Sequence, residues 1–193
     1  MKWVHLMDHG PYRRLRRLEP GDVTRLMEWD NDPEIYQLTG KKFSYGLDPK
    51  RWWLSLHEDS RRLALGIVND QQELVGDVEL EHIAWRAREA ELRISIGDKR
   101  YWNQGIGGEA VSEMLMIAFG PLGLERIYLR VRHDNPRAIR VYQKVGFQPV
   151  GRLKATGHLT GMADLILMEV TPKTYQPWKV RAASALWFRT PVS

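Results

Sequence analysis

The stretch Ile94-Ser95-Ile96, followed by Trp102-Asn103-Gln104-Gly105-Ile106-Gly107-Gly108-Glu109-Ala110, decides how this chain is read. An apolar strand runs into a glycine-rich bend, and the bend opens directly into a helix. Ala110–Phe119 carries apolar residues at helical spacing and contains no breaker. The start of a helix has unpaired backbone N–H groups and the positive end of the macrodipole, so it attracts anions. Gly105, Gly107 and Gly108 remove the side chains that would hold a phosphate away from those amides. The pattern reads as a diphosphate cradle for a nucleotide-like cofactor.

Several cofactor folds use a glycine-rich strand–turn–helix. A Walker loop needs Gly-Lys followed by Ser or Thr, whereas Gly107 is followed by Gly108-Glu109. A dinucleotide fold needs its glycines directly after the strand. Here Gly97–Trp102 intervenes and the third glycine of that fingerprint is missing. A glycine-rich helix entry that binds nothing remains open at this point.

A second constellation lies about thirty residues on. Arg126–Arg132 alternates Ile127, Leu129 and Val131 with polar residues, which predicts a strand. It leads into Asn135-Pro136-Arg137-Ala138, where Asn135 suits an N-cap and Pro136 the first helical position. Gly146 ends the helix and Phe147 resumes a strand. Ala138, Val141, Tyr142 and Val145 share one helix face, so Tyr142 is an aromatic hydroxyl on the inward stripe. A core aromatic with a satisfied hydroxyl is the competing reading of Tyr142.

In this order, the Gln104–Gly108 loop, Asn135–Ala138, Tyr142 and Gly146-Phe147 resemble the GNAT family of N-acetyltransferases. Within it they look most like the branch holding the ribosomal-protein N-terminal acetyltransferases and the spermidine acetyltransferases. The resemblance covers roughly Arg13 to Val170. It implies a mixed α/β fold: one domain over residues 13–170, with a mostly antiparallel sheet of six to seven strands. That sheet would be splayed at a central parallel pair and flanked by about four helices.

The resemblance also implies acetyl-CoA as co-substrate. Trp102, Asn103, Gln104, Gly105, Ile106, Gly107 and Gly108 would hold its pyrophosphate, and the main chain of Ile94, Ser95 and Ile96 its pantetheine arm. Asn135 and Ala138 would flank that arm, Arg137 and Lys144 would meet its phosphates, and Tyr142 would protonate the departing thiolate. The family often has Gln or Arg at the start of the loop pattern, where this chain has Trp102.

Amine acetylation needs a proton acceptor, oxyanion donors and a proton donor. In Glu89–Ile96, Ala90, Leu92, Ile94 and Ile96 take one face, while Glu89, Glu91, Arg93 and Ser95 take the other. On the resemblance, Glu91 stands where a carboxylate near the amine is common. The preceding strand adds Glu79 and Glu81, with His82 opposite. The alternative is that these acids are exposed sheet-face charges paired with Arg86, Arg88 and Arg93, and that His82 is a half-buried sheet histidine.

The acceptor site is expected around Asp30–Trp53. That segment holds Trp29 just before it, then Tyr36, Phe43, Tyr45, Trp52 and Trp53, with Asp30, Asp32, Glu34 and Asp48 as acids. Aromatics and carboxylates suit a cationic amine, and packing explains the same aromatics. Polyamine, protein N-terminus, amino sugar and aminoglycoside all fit this composition. A non-catalytic acyl-CoA-binding module is the alternative that keeps the cradle without the chemistry.

With 193 residues, 43% of them hydrophobic and 27% charged, the chain has the composition of a globular protein of one main domain. No apolar run approaches the roughly 20 residues that span a bilayer. Met1-Lys2-Trp3-Val4-His5 lacks a signal-peptide core, so the cytoplasm is the expected location and no membrane partner is expected. With no cysteine, disulfides, thiolate nucleophiles and thiolate metal sites are excluded, and no metal is expected. A net charge of +5 suits phosphate attraction, and without an RNA-binding motif a nucleic-acid partner is not expected. The tail 171–193, with Pro172, Pro177, Pro191, Trp178, Trp187 and Phe188, is expected to pack on the domain. Pairing with a second subunit as a homodimer, or partial disorder, are the other readings.

Overall fold

Strand alternation and hairpin chemistry build most of the sheet. The computed structural model describes residues 12–40, 48–154 and 164–178. Phe43, Tyr45, the first five residues, and Trp187, Phe188 and Pro191 of the tail lie outside the described residues. In chain order the elements are β1 (Leu15–Arg17), α1 (Asp22–Asp30), α2 (Pro33–Thr39), α3 (Pro49–Glu58), β2 (Leu63–Val68), β3 (Leu74–Ala84) and β4 (Glu89–Ile96). They continue with α4 (Ile106–Phe119), β5 (Arg126–Arg132), α5 (Pro136–Lys144), β6 (Gln148–Leu153) and β7 (Leu165–Val170). Five α-helices accompany the sheet among the described residues, one more than the expected four.

The seven strands lie in the order β1-β2-β3-β4-β5-β7-β6. All neighbours are antiparallel except β4 and β5. That parallel pair shares only Glu89↔Arg126, Ala90↔Ile127 and Glu91↔Tyr128. Beyond Glu91 the two strands part, which leaves the second half of β4 without a sheet neighbour on that side. The β2–β3 hairpin turns through Asn69–Gln72. The Asn69 side chain accepts the N–H groups of Gln71 and Glu73, both at 2.9 Å, and Gln72 takes φ 63°.

The main core lies between the sheet and α4. Val78, Leu80, Ile83, Leu92, Ile127, Leu129 and Met168 bury against Val111, Met114, Leu115 and Ala118. Helix α4 is apolar nearly all round because the chain encloses it on several sides. On the other face of the sheet, α1 contacts β3, α2 contacts β4, and Val23, Leu26, Trp52 and Leu74 form a second small core.

The edge strand is fastened to α4 by one carboxylate. Glu113 accepts the backbone N–H groups of Arg13 at 3.0 Å, Arg14 at 3.0 Å and Leu15 at 3.1 Å. Burial raises its carboxyl above the ordinary range, and the three N–H donors pull it back down. Arg14, itself 5% exposed, pairs with Glu109 one turn earlier and with Asp70 at 2.8 Å. Replacing Glu113 by Ala strands three donors in a part-buried site. We expect a loss of about 3 kcal/mol and a fall in Tm of about 6–12 °C. An unchanged melting curve would show that water satisfies those N–H groups.

Candidate active site

One cavity of about 710 Å³ opens where β4 and β5 part. Its walls are the second half of β4, the glycine turn, the first turn of α4, the end of β5, the inner face of α5 and the last turns of α2. Of the expected residues, Tyr36, Glu91, Ile94, Ser95, Ile96, Trp102, Asn103, Gly105, Gly107, Gly108, Asn135, Arg137, Ala138 and Tyr142 all line it. Gln104, Ile106, Lys144, Glu79 and Glu81 do not.

Each of those five has a different task. Gln104 donates to the carbonyl of Arg100 at 2.6 Å and braces the loop. Ile106 belongs to the core. The Lys144 ammonium sits 5.6 Å from the ring of Trp178. Glu79, 1% exposed, accepts from Arg62 at 2.6 Å. Glu81 lies 3.4 Å from Arg93 and 3.9 Å from Arg62.

The glycine turn is built for a close approach from the sheet side. Gly105 holds φ +87° as the α4 N-cap, a region disfavoured for residues with a Cβ. A Cβ at Gly107 would point to Ile96 at 3.7 Å and Ile94 at 4.0 Å, into the shared space. Gly108 behaves otherwise: a Cβ there would come within 2.5 Å of the Trp178 ring. The Oγ of Ser95, buried in the cavity wall, has no hydrogen-bond partner among the described residues.

Trp102 closes the loop end of the cavity. Its indole N–H donates to the carbonyl of Ile96 at 2.8 Å. The bond ties the loop to the end of β4, and the Ile96 carbonyl keeps a second lone pair. The Arg137 guanidinium lies 4.5 Å from the Trp102 ring and the Lys99 ammonium 5.9 Å. Lys99 is held by Asp32 at 2.9 Å and Glu34 at 2.7 Å, so Arg137 is the cation that the ring sets beside the glycine turn. Asn135 caps α5 by accepting from the N–H of Ala138 at 3.1 Å.

Tyr142 stands on the inner face of α5 with its ring edge-on to Phe147, 5.7 Å between centroids. The residue keeps part of its surface open to the cavity, while burial of its hydroxyl pushes the phenol up to about 12. It is a neutral proton donor at physiological pH.

The acids are not exposed sheet-face charges. Glu91 is 4% exposed and accepts both arms of the Arg130 guanidinium, at 2.8 and 2.7 Å. None of Arg86, Arg88 or Arg93 is its partner. Arg88 pairs with Glu125 and donates to the carbonyl of Gly123. The polar face of β3 and β4 is covered by α1 and α2, so its charges are buried and matched.

His82 also departs from expectation. A bulge between Glu81 and Ala84 puts it at φ +54°, and its Nδ1 lies 3.3 Å from Glu91 Oε2. Its side chain is 66% exposed rather than half-buried. The strand alternation breaks at the bulge, which reading by period two does not reveal.

Sequence reading missed Asp77, Arg93, Arg130, Arg132 and Tyr101, all of which line the cavity. Arg130 and Arg132 alternate with the core residues of β5, so their side of the strand was legible. Their partners on another strand were not. Arg132 is held by Asp134 at 2.7 Å.

The comparisons agree with this geometry. The family model for the acetyltransferase (GNAT) domain matches residues 13–148. The spermidine N(1)-acetyltransferase of Vibrio cholerae is 29% identical over 141 residues, covering 72% of this chain and 80% of that protein. The enzyme of the same name from Escherichia coli K12 is 32% identical over 143 residues, covering 72% and 75%. The crystal structure of the V. cholerae spermidine N-acetyltransferase with CoA and spermine superposes with a TM-score of 0.74 at 26% identity, covering 83% of this chain and 96% of that one. Among the described residues no helix is long and apolar enough to cross a membrane. The chain belongs to the GNAT family, and it is an acetyl-CoA-dependent N-acetyltransferase.

Proposed function

We propose that the chain transfers the acetyl group of acetyl-CoA to a primary amine of a small, multiply cationic substrate of the polyamine class. The observation that carries this reading is the single cavity. It joins a glycine-rich turn, a buried hydroxyl with no partner among the described residues on a strand with one freed edge, a buried phenol and a wall holding Asp77 and Glu91. The relatives named for spermidine acetylation support the choice of amine.

The residues fit an acyl-CoA. The N–H groups at the start of α4 and the cation Arg137 suit its diphosphate. The edge of β4 freed beyond Glu91 offers backbone groups at Ile94 and Ile96, and Ser95 its buried hydroxyl, to the pantetheine arm. When bound, acetyl-CoA supplies an activated acetyl group and a thiolate leaving group.

Tyr142 returns a proton to that sulfur. A phenol near 12 is a poor acid for a thiolate in water. In the same low-dielectric wall, however, desolvation raises the thiol as well, which narrows the mismatch. Glu91 binds the amine. Its two oxygens accept from Arg130 yet retain lone pairs for an ammonium or for the water that takes its proton. Tyr36, 47% exposed at the α2 side of the mouth, gives the chain of the amine an aromatic surface.

Thiol release across spermidine, spermine, amino sugars and short peptides with free N-termini tests the acceptor class. The chain has no cysteine to add background. Polyamines should give the highest kcat/KM, whereas a preference for peptides would assign a protein N-terminal acetyltransferase. Tyr142→Phe should lower kcat by about 10²–10⁴-fold with the affinity for CoA largely kept. The pH–rate profile of this variant should run parallel to wild type between about pH 7 and 9, because the phenol does not titrate there. Unchanged turnover would remove Tyr142 from the acid role.

Gly107→Leu should weaken CoA binding by about tenfold or more in calorimetry, since the side chain fills the space beside Ile94 and Ile96. Normal binding in that variant would place the diphosphate elsewhere.

A further inference from the structure

The chain after β7 returns to the glycine turn. The family model ends at residue 148, yet Thr171–Trp178 runs along α5 and across α4. Gln176 donates its N–H to the carbonyl of Val145 at 3.1 Å, just past the end of α5. Tyr175 packs its ring on Phe119, 5.8 Å between centroids. Its hydroxyl meets Ser112 twice, donating to the carbonyl at 3.0 Å and lying 2.9 Å from Oγ. Ser112 Oγ in turn accepts the backbone N–H of Trp178 at 2.9 Å. Ser112 is 5% exposed, so this latch is buried within α4.

The latch sets the indole of Trp178 against the first turn of α4. A Cβ on Gly108 would lie 2.5 Å from two ring atoms and 2.6 Å from a third. The ring also reaches within 4.0 Å of the Cβ position of Gly105, and Lys144 lies 5.6 Å from its centroid. Gly105 is the left-handed N-cap, the Gly108 N–H donates to its carbonyl at 2.9 Å, and the N–H groups of Ile106 and Gly107 lie between them at the helix start. Trp178 does not line the cavity; it supports the turn from the opposite side.

We propose that Trp178 is a positioning residue for acyl-CoA, holding the Gly105–Gly108 turn so that its backbone N–H groups stay aimed at the diphosphate. Gly107 and Gly108 then have separate reasons to be glycine: Gly107 leaves room for the ligand, and Gly108 leaves room for Trp178. A turn whose donors are fixed before binding costs less to order on binding. A helix start supported on one side only by a ligand would have to be ordered by that ligand. This rests on the acyl-CoA reading of the cavity and adds the tail to it.

The test is a double-mutant cycle read by calorimetry with CoA itself. The partners are Trp178→Ala and Gly108→Ala, with Trp178→Phe as the conservative control and thermal melting run on every variant. Alanine at position 108 keeps its backbone N–H and sets its Cβ against the indole, and because Gly108 also lines the cavity, the double variant separates a clash with Trp178 from a direct effect on CoA. Each single alanine variant should raise the Kd for CoA and the KM for acetyl-CoA by about tenfold, and kcat less. Trp178→Phe should recover most of that loss. The double variant should be no worse than Trp178→Ala alone, since the clash has no partner left.

Additive losses in the double variant would overturn the inference. So would a lower Tm in Trp178→Ala with an unchanged Kd for CoA, which would leave the tail a purely structural role. No CoA binding by the wild-type protein would instead sink the acyl-CoA reading on which the inference stands.

Discussion

Everything in this molecule depends on two parallel strands that pair for three residues and then part. Glu89–Glu91 and Arg126–Tyr128 are in register, and beyond them β4 and β5 diverge around the cavity. The last paired position on β4 is Glu91, and it is clamped by Arg130 from two residues further along β5. The clamp crosses the strands where their ladder ends. It matches a buried carboxylate while the freed edge of β4 remains available to a ligand. A sheet that stayed closed would have no such edge, and a sheet that opened further would expose its core to water.

Around that opening, charge is sorted by depth. Asp77 and Glu91 are buried in the cavity wall among the packed strands. Arg137 stacks over Trp102 beside the glycine turn, and Lys99, on the same ring, is held by Asp32 and Glu34. The family pattern puts a polar or cationic residue where this chain has Trp102. Arg137 of α5 brings a positive charge to that ring by cation–π contact. The pairs on the β3–β4 face, Glu79–Arg62 and Glu81–Arg93, are framework for that arrangement.

Much of this was legible in the sequence because local rules govern it. The bounds of β4, β5 and β7 follow from period-two runs ended by Gly, Asn or Pro. The start of α5 at Asn135-Pro136 follows from capping chemistry. The inward face of Tyr142 followed from helical spacing, and its role as proton donor only from the family resemblance. The illegible features are those set by register between distant strands. Nothing near Glu91 announces Arg130, which is reached only through the parallel pairing. His82 was misread because a bulge, not the alternation, fixes its direction. Gly108 looked like part of a phosphate loop, and its neighbour Trp178 arrives seventy residues later in a segment with no periodic signal.

The central claim is that the freed half of β4 and the first turn of α4 together receive acyl-CoA. Amide hydrogen exchange with and without CoA tests it most directly. CoA should slow exchange in Arg93–Ile96 and Ile106–Gly108, while the paired strands β2 and β3 keep their free-state rates. Protection confined to other segments, or none at saturating CoA, would contradict it.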